Sequence, residues 1–512
     1  MQEQFKKYLT FLPYVVLLAA LVIQYVLIVD ATDGHFVYGM DDPYIHLALA
    51  ENIARGHYGV NLEEYSAPAS SILWPFLLVP FAASAVFLYV PLFLNALFAG
   101  LALLAVQKSI RLILGETYYT RSPGLVALSL CCLIFGFNLI GLTYLGMEHM
   151  MQVWVSLQLL YGLLIITEKE RCPKWLPWII LLGPLVRYEN LALSGVAILF
   201  LWYRGFWKQA ILPAIIILLS TGGFSGFLMH IGLSPLPSST LVKLQYQTQA
   251  PSMWLQKLTH PNHIIILLLA ITLLVTAWKR RTVKHEIAWL IALAGFTHVA
   301  FAAVAAGDRY EAYITAVLMM TVLYYHKAQV KEVFDAHPEM AALRITVALG
   351  GVLVMYVIAS TYNVPLRSES IYRQQFQMQR FIKEFAPSPV AVNDIGLVSL
   401  QNDHYVLDLV GLANEEGRHH LFTSPEERRK WINEASQAHG VKYAAIYADW
   451  FEGVLPETWK PVAQMKSMHA RDVGDDTVTF YAIAPQYTDA LKKSLKAFGK
   501  TLPDSVKLIW LQ

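Results

Sequence analysis

Residues 38–71 read YGMDDPYIHLALAENIARGHYGVNLEEYSAPASS, and their reading decides what kind of chain this is. They lie between an apolar run at 11–29 and a second one that begins at Ile72. Asp41 and Asp42 stand side by side. Pro43 follows at a position suited to a helix start, and residues 43–57 continue as a short amphipathic helix. A Ser/Pro-rich turn, 66–71, closes the stretch. Adjacent like charges raise at least one carboxyl pKa, which suits a general base. The plain alternative is a solvated pair of acids that favours the first turn of the following helix.

Working outward, the whole chain is apolar. Of 512 residues, 56% are hydrophobic and only 15% charged, with a mean hydropathy of +0.44. That balance belongs to a polytopic membrane protein. A net charge of +2 gives no sign of a nucleic-acid partner. Lys6 and Lys7 precede the first apolar run, but no small-residue cleavage site follows it, so 11–29 reads as a retained span. Cys131, Cys132 and Cys172 all lie outside the C-terminal region, so no disulfide framework is available there.

Apolar runs recur through residue 361 and then stop. Membrane helices are expected at 11–29, 92–110, 125–140, 150–166, 176–185, 191–202, 210–228, 264–278, 287–304, 312–325 and 345–358, about eleven in all. Runs 176–185 and 191–202 are short and are interrupted by Arg187-Tyr188-Glu189-Asn190. They read as a broken pair whose polar backbone faces a cavity. Residues 72–89 are long enough to span, yet the positive-inside rule places them at the outer interface. Clusters such as Lys108/Arg111/Arg121, Lys169/Arg171/Lys174 and Lys279/Arg280/Arg281/Lys284 then fall inside. Only Arg55, Arg187, Lys243, Lys257 and Arg309 fall outside before the C-terminal region. The expected division is a membrane domain, 1–361, with an outer loop at 30–91, and a soluble α/β domain, 362–512, on the outer face. Strands are expected at 390–392, 405–407, 443–447 and 478–482, and a helix starts at Ser424-Pro425-Glu426-Glu427.

In this topology five polar motifs share the outer face. They are Asp41-Asp42, Gly146-Met147-Glu148-His149, Arg187-Tyr188-Glu189-Asn190, the stretch Pro235 to Lys243, and Gly307-Asp308-Arg309-Tyr310-Glu311. Ionisable groups at membrane depth are costly and face a cavity or a partner. Each has a plain alternative: Glu148 at a helix start, an Arg187–Glu189 structural pair, a snorkelling Lys243, self-paired charges around Arg309, and a solvated His46. The functional alternative makes Arg187 a bidentate phosphate ligand and Lys243 a point charge on a lipid phosphate. Arg309 and Tyr310 then line the same pocket. There is no Gly-rich phosphate loop, zinc spacing or dinucleotide fingerprint, which argues against a nucleotide-sugar donor.

The ordered motifs of the membrane half resemble those of the GT-C glycosyltransferases, most of all bacterial arabinofuranosyltransferase-type members. Protein O-mannosyltransferases and the lipid A aminoarabinose transferase are more distantly similar. In those enzymes the first external loop opens on an Asp-Asp or Asp-Glu pair, then a helix, a Ser/Pro-rich turn and an apolar run. Gly146-Met147-Glu148 also resembles the family pattern. Arg187-Tyr188-Glu189-Asn190 matches the family's Arg-Pro-Asp/Glu-Gly in part, and Ser238 stands where the family has Asn. The segment VAVNDIGLVSLQNDHYVLDLVGLAN, 390–414, looks like the external domain of the arabinofuranosyltransferase-like members. The resemblance implies a polyprenyl-phosphate-linked sugar donor, for instance a pentose such as arabinofuranose, in a bacterial inner membrane. It implies an acceptor hydroxyl on a glycan, lipid or protein at the periplasmic face, and inversion at the anomeric centre. It implies Asp41 as base beside Asp42. It implies that Glu148, next to the less regular position His149, faces the cavity and binds a sugar hydroxyl, and that Lys243 meets the donor phosphate with Arg187 beside Glu189; Asp308, Arg309, Tyr310 and Glu311, read from the residues themselves, would line the donor pocket. His46 lies close enough to serve the acceptor. Some relatives carry a divalent cation at the acidic pair; no cofactor is assigned to this chain. The rival classes are a multi-pass transporter or lipid flippase and an inactive scaffold. The absence of a two-half repeat, and acids gathered on one face, count against transport.

Overall fold

Long apolar helices bury their backbone polar groups within themselves, which is what hydrocarbon demands, and such helices fill the first two thirds of the chain. The structure, a computed structural model, describes residues 2–249, 258–279, 285–302, 309–336, 340, 362–468, 470–471 and 473–511. Among the described residues five helices are long and apolar enough to cross a membrane: Tyr8–Ala31, Phe87–Leu114, His149–Lys169, Trp207–His230 and Pro261–Lys279. Four shorter apolar helices are Pro123–Gly136, Leu176–Val186, Glu286–Phe301 and Ala312–Tyr325. His149–Lys169 is the central one, with 83% of its apolar stretch buried, against 17% for the peripheral Trp207–His230. Its polar Gln152, Ser156 and Thr167 are buried against protein.

One expected span differs from the structure, while residues 72–89, expected at the interface and not as a span, form none. The run 125–140 is not one helix: Pro123–Gly136 and Leu139–Tyr144 are separated at Asn138, which adopts left-handed backbone with φ 54°. Asn tolerates that conformation where most residues do not. Residues 72–89 form short pieces, Leu73–Leu78, Val79–Phe81 and Phe87–Tyr89, with Pro75 and Pro80 among them, and no single span. Leu176–Val186 and Leu191–Tyr203 are joined by a turn at Tyr188–Asn190. At 1.5 Å per residue, 11-residue Leu176–Val186 is too short to cross the ~30 Å hydrocarbon core. The expected span 345–358 lies outside the described residues, as do Lys257, Gly307 and Asp308.

The C-terminal region is an α/β domain with one six-stranded sheet: β1 (Val390–Val392), β2 (Val406–Asp408), β3 (Tyr443–Ile446), β4 (Lys460–Ser467), β5 (Thr477–Ala482) and β6 (Val506–Trp510), in the order β2-β1-β3-β5-β4-β6. β1 pairs in parallel with β2 and β3, and the remaining pairs are antiparallel. Helix Pro425–Ala438 bridges β2 and β3 and begins with a full capping box between Ser424 and Glu427. β4 escapes the sequence reading because Lys, Pro and Gln interrupt its apolar positions, and β6 is a short, largely exposed strand.

Candidate functional site

Helix Asp42–Ala54 begins at the acidic pair, and it is not the amphipathic surface helix its sequence suggests. Residues 43–50 are all buried. Tyr44, Leu47 and Ala50 pack into the core of the membrane half. Ile45 and Ala48 pack into the core of the C-terminal domain, and Leu49 joins a third cluster with Tyr58 and Leu228. A helix buried on every side has no need of a polar face. It is the peg that joins the two halves.

Its position fixes the acids. Asp41 Oδ2 accepts the Gly396 backbone N–H at 2.6 Å, and Oδ1 accepts that of Leu397 at 2.9 Å. Burial first, then the charge of Asp394, raises the Asp41 carboxyl well above the ordinary carboxylate range, against the pull of those two amides. Asp42 turns elsewhere. Its Oδ2 meets Arg309 at 2.8 Å, and its side chain is 37% exposed. Burial pushes Asp42 up, but the charge and hydrogen bond of Arg309 outweigh it and hold the carboxyl below its usual value. The two acids are thus pushed apart, a pattern that separates proton-accepting from charge-holding roles.

A second knot lies beside the first. Arg187, 1% exposed, donates to Glu148 Oε1 at 2.6 Å and grips Glu189 with two bonds of 3.1 and 2.7 Å. It also reaches Ser70 Oγ at 3.2 Å and His149 Nε2 at 3.2 Å. His46 Nε2 is 3.7 Å from Glu148 Oε2, so His46 is buried beside the acid rather than solvated. Burial lowers its pKa despite Glu148. Every nitrogen of the Arg187 guanidinium is engaged, and the Arg187–Glu189 pair is bidentate.

Tyr310 connects the two knots. Its ring centroid lies 5.3 Å from Arg187, 5.0 Å from the Lys243 ammonium and 4.9 Å from Arg309. Arg309 donates to its hydroxyl at 3.0 Å, and the His149 ring meets its edge at 5.4 Å. Among the described residues Lys243 forms no ion pair. Lys243 and Arg187 line a cavity of about 320 Å³ whose wall continues over Leu191, Leu244, Phe301 and Ala302. Leu191, Leu244 and Phe301 are exposed, so the cavity passes from charged to apolar.

Nine of the ten side chains singled out in the sequence, Asp42, His46, Glu148, His149, Arg187, Glu189, Lys243, Arg309 and Tyr310, therefore stand in one connected cluster; the tenth, Asp41, adjoins it through Asp42 in the chain and bonds the Gly396 and Leu397 amides instead. The sequence reading missed Ser70, the sulfurs of Met40 and Met147 at 2.9 and 3.0 Å from Arg309, and the contribution of Asp394, Gly396 and Leu397. The stretch VAVNDIG carried the only signal for that last group, through its resemblance to an external domain, and gave it no role. The acidic pair does not make a cation site: Asp41 is held by amides and Asp42 by Arg309. Among the described residues no three His, Cys, Asp or Glu side chains are grouped to hold a metal ion.

Residues 367–481 match a domain of unknown function, DUF8728. No curated protein matches the chain. Among solved structures the chain is similar to the oligosaccharyltransferase of Archaeoglobus fulgidus in its apo form, at 14% identity and a TM-score of 0.45, covering 93% of this chain and 75% of that one. It is similar to the same degree to the archaeal oligosaccharyltransferase AglB from Archaeoglobus fulgidus in complex with an inhibitory peptide and a dolichol-phosphate. That match has 14% identity and a TM-score of 0.45, and covers 98% of this chain and 76% of that one.

Proposed function

We propose that this chain is a GT-C-type glycosyltransferase that moves a sugar from a polyprenyl-phosphate carrier to an acceptor hydroxyl on the outer face of a bacterial inner membrane. The observation that carries the reading is the arrangement around Tyr310. Three cations meet one ring within 4.9–5.3 Å. One of them is bonded to the acidic pair, and another, Lys243, has no ion pair among the described residues and lines a cavity that turns apolar. A phosphate joined to a prenyl chain has that chemistry, with a dianionic or monoanionic head and a hydrocarbon tail. Arg187 is already shared between Glu148 and Glu189, so Lys243 is the principal phosphate ligand and Arg187 the wall behind it.

The acceptor oxygen forms a bond to the anomeric carbon as the bond from that carbon to the phosphate oxygen breaks. Asp41 takes the hydroxyl proton. Polyprenyl phosphate leaves with the electron pair of the broken bond, its charge met by Lys243. A single displacement inverts the anomeric centre. Asp41 suits the base: it is fixed by two amides, and its raised pKa lies closer to neutrality than an ordinary carboxyl. Asp42 holds Arg309, and Glu148, His149 and His46 border the sugar. The donor sugar is a hexose or a pentose such as arabinofuranose, and the acceptor is a glycan, lipid or protein.

The test is release of polyprenyl phosphate from a panel of polyprenyl-phosphoryl pentoses and hexoses by the purified full chain, with cell-envelope glycan, lipid and protein fractions as acceptors. Asp41→Asn should reduce turnover about 10²–10⁴-fold and leave donor binding intact. Asp42→Asn should cost less. Lack of turnover with every donor, or normal turnover in both single variants and the double variant, would remove this reading.

A further inference from the structure

We propose that the C-terminal domain sets the general base: Asp394 and the backbone amides of Gly396 and Leu397 are positioning groups that orient Asp41 and place a second carboxyl beside it. The inference rests on the reading of Asp41 as base. It adds that the base is incomplete without a segment more than 350 residues away, since Gly396 bonds Asp41 across 355 positions of sequence.

The segment Asn393–Leu397 leaves the C-terminal end of β1, in the parallel part of the sheet. That is where sites gather in α/β sheets, because strand ends and loop amides converge there. Its shape is locked from both sides. Asn393 Oδ1 accepts the Tyr447 backbone N–H at 2.9 Å. Asp394 Oδ2 accepts from Gln375 Nε2 and from the Tyr447 hydroxyl, each at 2.8 Å. Two residues later the Gly396 and Leu397 amides reach Asp41.

Gly396 is required by close approach. A β-carbon there would lie 2.1 Å from the Asp41 carbonyl oxygen and 2.6 Å from its Oδ2, so any side chain must displace the base. On the other flank of the loop, Gly146 adopts φ 69°, and a β-carbon there would fall 2.8 Å from the Tyr38 ring and 2.9 Å from Pro43. Gly396 of the C-terminal domain thus meets Asp41 itself, and Gly146 of the membrane half meets Tyr38 and Pro43, which flank the acidic pair in sequence.

The electrostatics agree with the geometry. Asp41 and Asp394 each raise above the ordinary range, burial being the first cause, with Asp394 acting directly on Asp41. The other titratable or charged groups facing them are Asp42 and Tyr44 on the adjoining helix, Tyr447 and Asp475 of the C-terminal domain, Arg309 across Asp42, and Arg367 against Gly39. Two carboxyls sharing a buried site do not both ionise readily, and their titration belongs to the pair.

The experiment uses the full chain in nanodiscs and two readouts. Infrared difference spectra over a pH titration follow the protonated-carboxyl band. In the wild type a band should titrate well above the ordinary ~3.9 of an aspartate, and Asp41→Asn should remove it. Asp394→Asn, which keeps shape but deletes the charge, should lower that midpoint by about one unit or more. The acid limb of kcat/KM for transfer from polyprenyl-phosphoryl sugars should move down with it. Gly396→Ala should lower kcat about 10²-fold while the donor KM holds. An unmoved midpoint in Asp394→Asn overturns the proposal, as does normal kcat in a folded Gly396→Ala. Should Gly396→Ala fail to fold, Asp394→Asn alone decides. Absence of transfer by the wild type, with the carboxyl midpoints behaving as stated, defeats the glycosyltransferase reading and leaves the carboxyl couple standing.

Discussion

Arg187 and Lys243 line the same cavity, yet they should respond to removal in opposite ways. Arg187 neutralises Glu148 and Glu189 from a side chain that is 1% exposed. Arg187→Ala strands both acids without a counter-charge, and breaking a buried pair in this way costs about 3–5 kcal/mol. The expected result is a marked fall in Tm in detergent, and Arg187→Lys should rescue little because an ammonium cannot reproduce the bidentate grip. Among the described residues Lys243 has no ion pair to break. Lys243→Ala should leave Tm nearly unchanged and raise the donor KM about tenfold, the effect of losing one charge-assisted contact of about 1.5 kcal/mol. A Tm loss in Lys243→Ala equal to that in Arg187→Ala would void the distinction. The ten residues were legible in sequence because ionisable groups at membrane depth are conspicuous. Which of them satisfy one another was not, since Arg187 is 39 residues from Glu148 and spacing carries no information on that pairing.

At the scale of elements, the outer loop and the C-terminal domain are bolted together by Glu64. Its carboxylate accepts from the Tyr405 hydroxyl at 2.8 Å, the Asn414 amide at 2.8 Å and the Asn61 amide at 3.0 Å. Asn61 in turn exchanges two bonds of 2.9 Å with the backbone of Val406, as a neighbouring strand would. Burial raises Glu64 to about 7 in spite of its three donors. The folded state therefore binds this proton more tightly than the unfolded one, whose glutamate titrates at ~4.3. By linkage, the Glu64 contribution is greatest below the unfolded pKa and is lost as pH rises toward about 7. Hydrogen exchange over 405–414 should accordingly quicken between pH 5 and pH 8 beyond its intrinsic pH dependence, and Glu64→Gln should flatten that excess. A smaller effect belongs to helix Pro425–Ala438: Ser424→Ala removes the cap bond to Glu427 and should cost about 1 kcal/mol in chemical unfolding of the domain. The capping box was readable as a four-residue pattern. The helix Asp42–Ala54 was readable as a helix but not as a buried one, because its partners come from three separate clusters.

For the molecule as a whole, the membrane half and the C-terminal domain share a core. Ile45, Ala48 and Val60 of the outer loop pack with Met378, Phe381, Val398 and Phe480. Residues 362–512 expressed alone would leave that apolar patch in water, so the isolated domain should melt below its transition in the full chain, as differential scanning calorimetry would read. Equal transitions would mean the halves are independent. The orientation expected from Lys and Arg distribution puts the C-terminal domain outside. A phosphatase fused after Gln512 should then be active in cells, and a silent fusion with a fluorescent cytoplasmic reporter would reverse the topology and the assignment of face.

What the sequence determined by itself are properties that depend on local composition and short spacing. Those are the apolar helices of the membrane half, the presence of a C-terminal α/β domain, and the start of helix Asp42–Ala54 at the acidic pair. Hydrocarbon imposes these on any chain of this composition, one segment at a time. Only the tertiary structure decided which acid is held by amides and which by Arg309, and that among the described residues Arg187 is ion-paired while Lys243 is not. It alone set Gly396 of a distant domain against Asp41. Those outcomes depend on contacts across tens to hundreds of residues, where the geometry of packing, and not the pattern of any one segment, selects the partner.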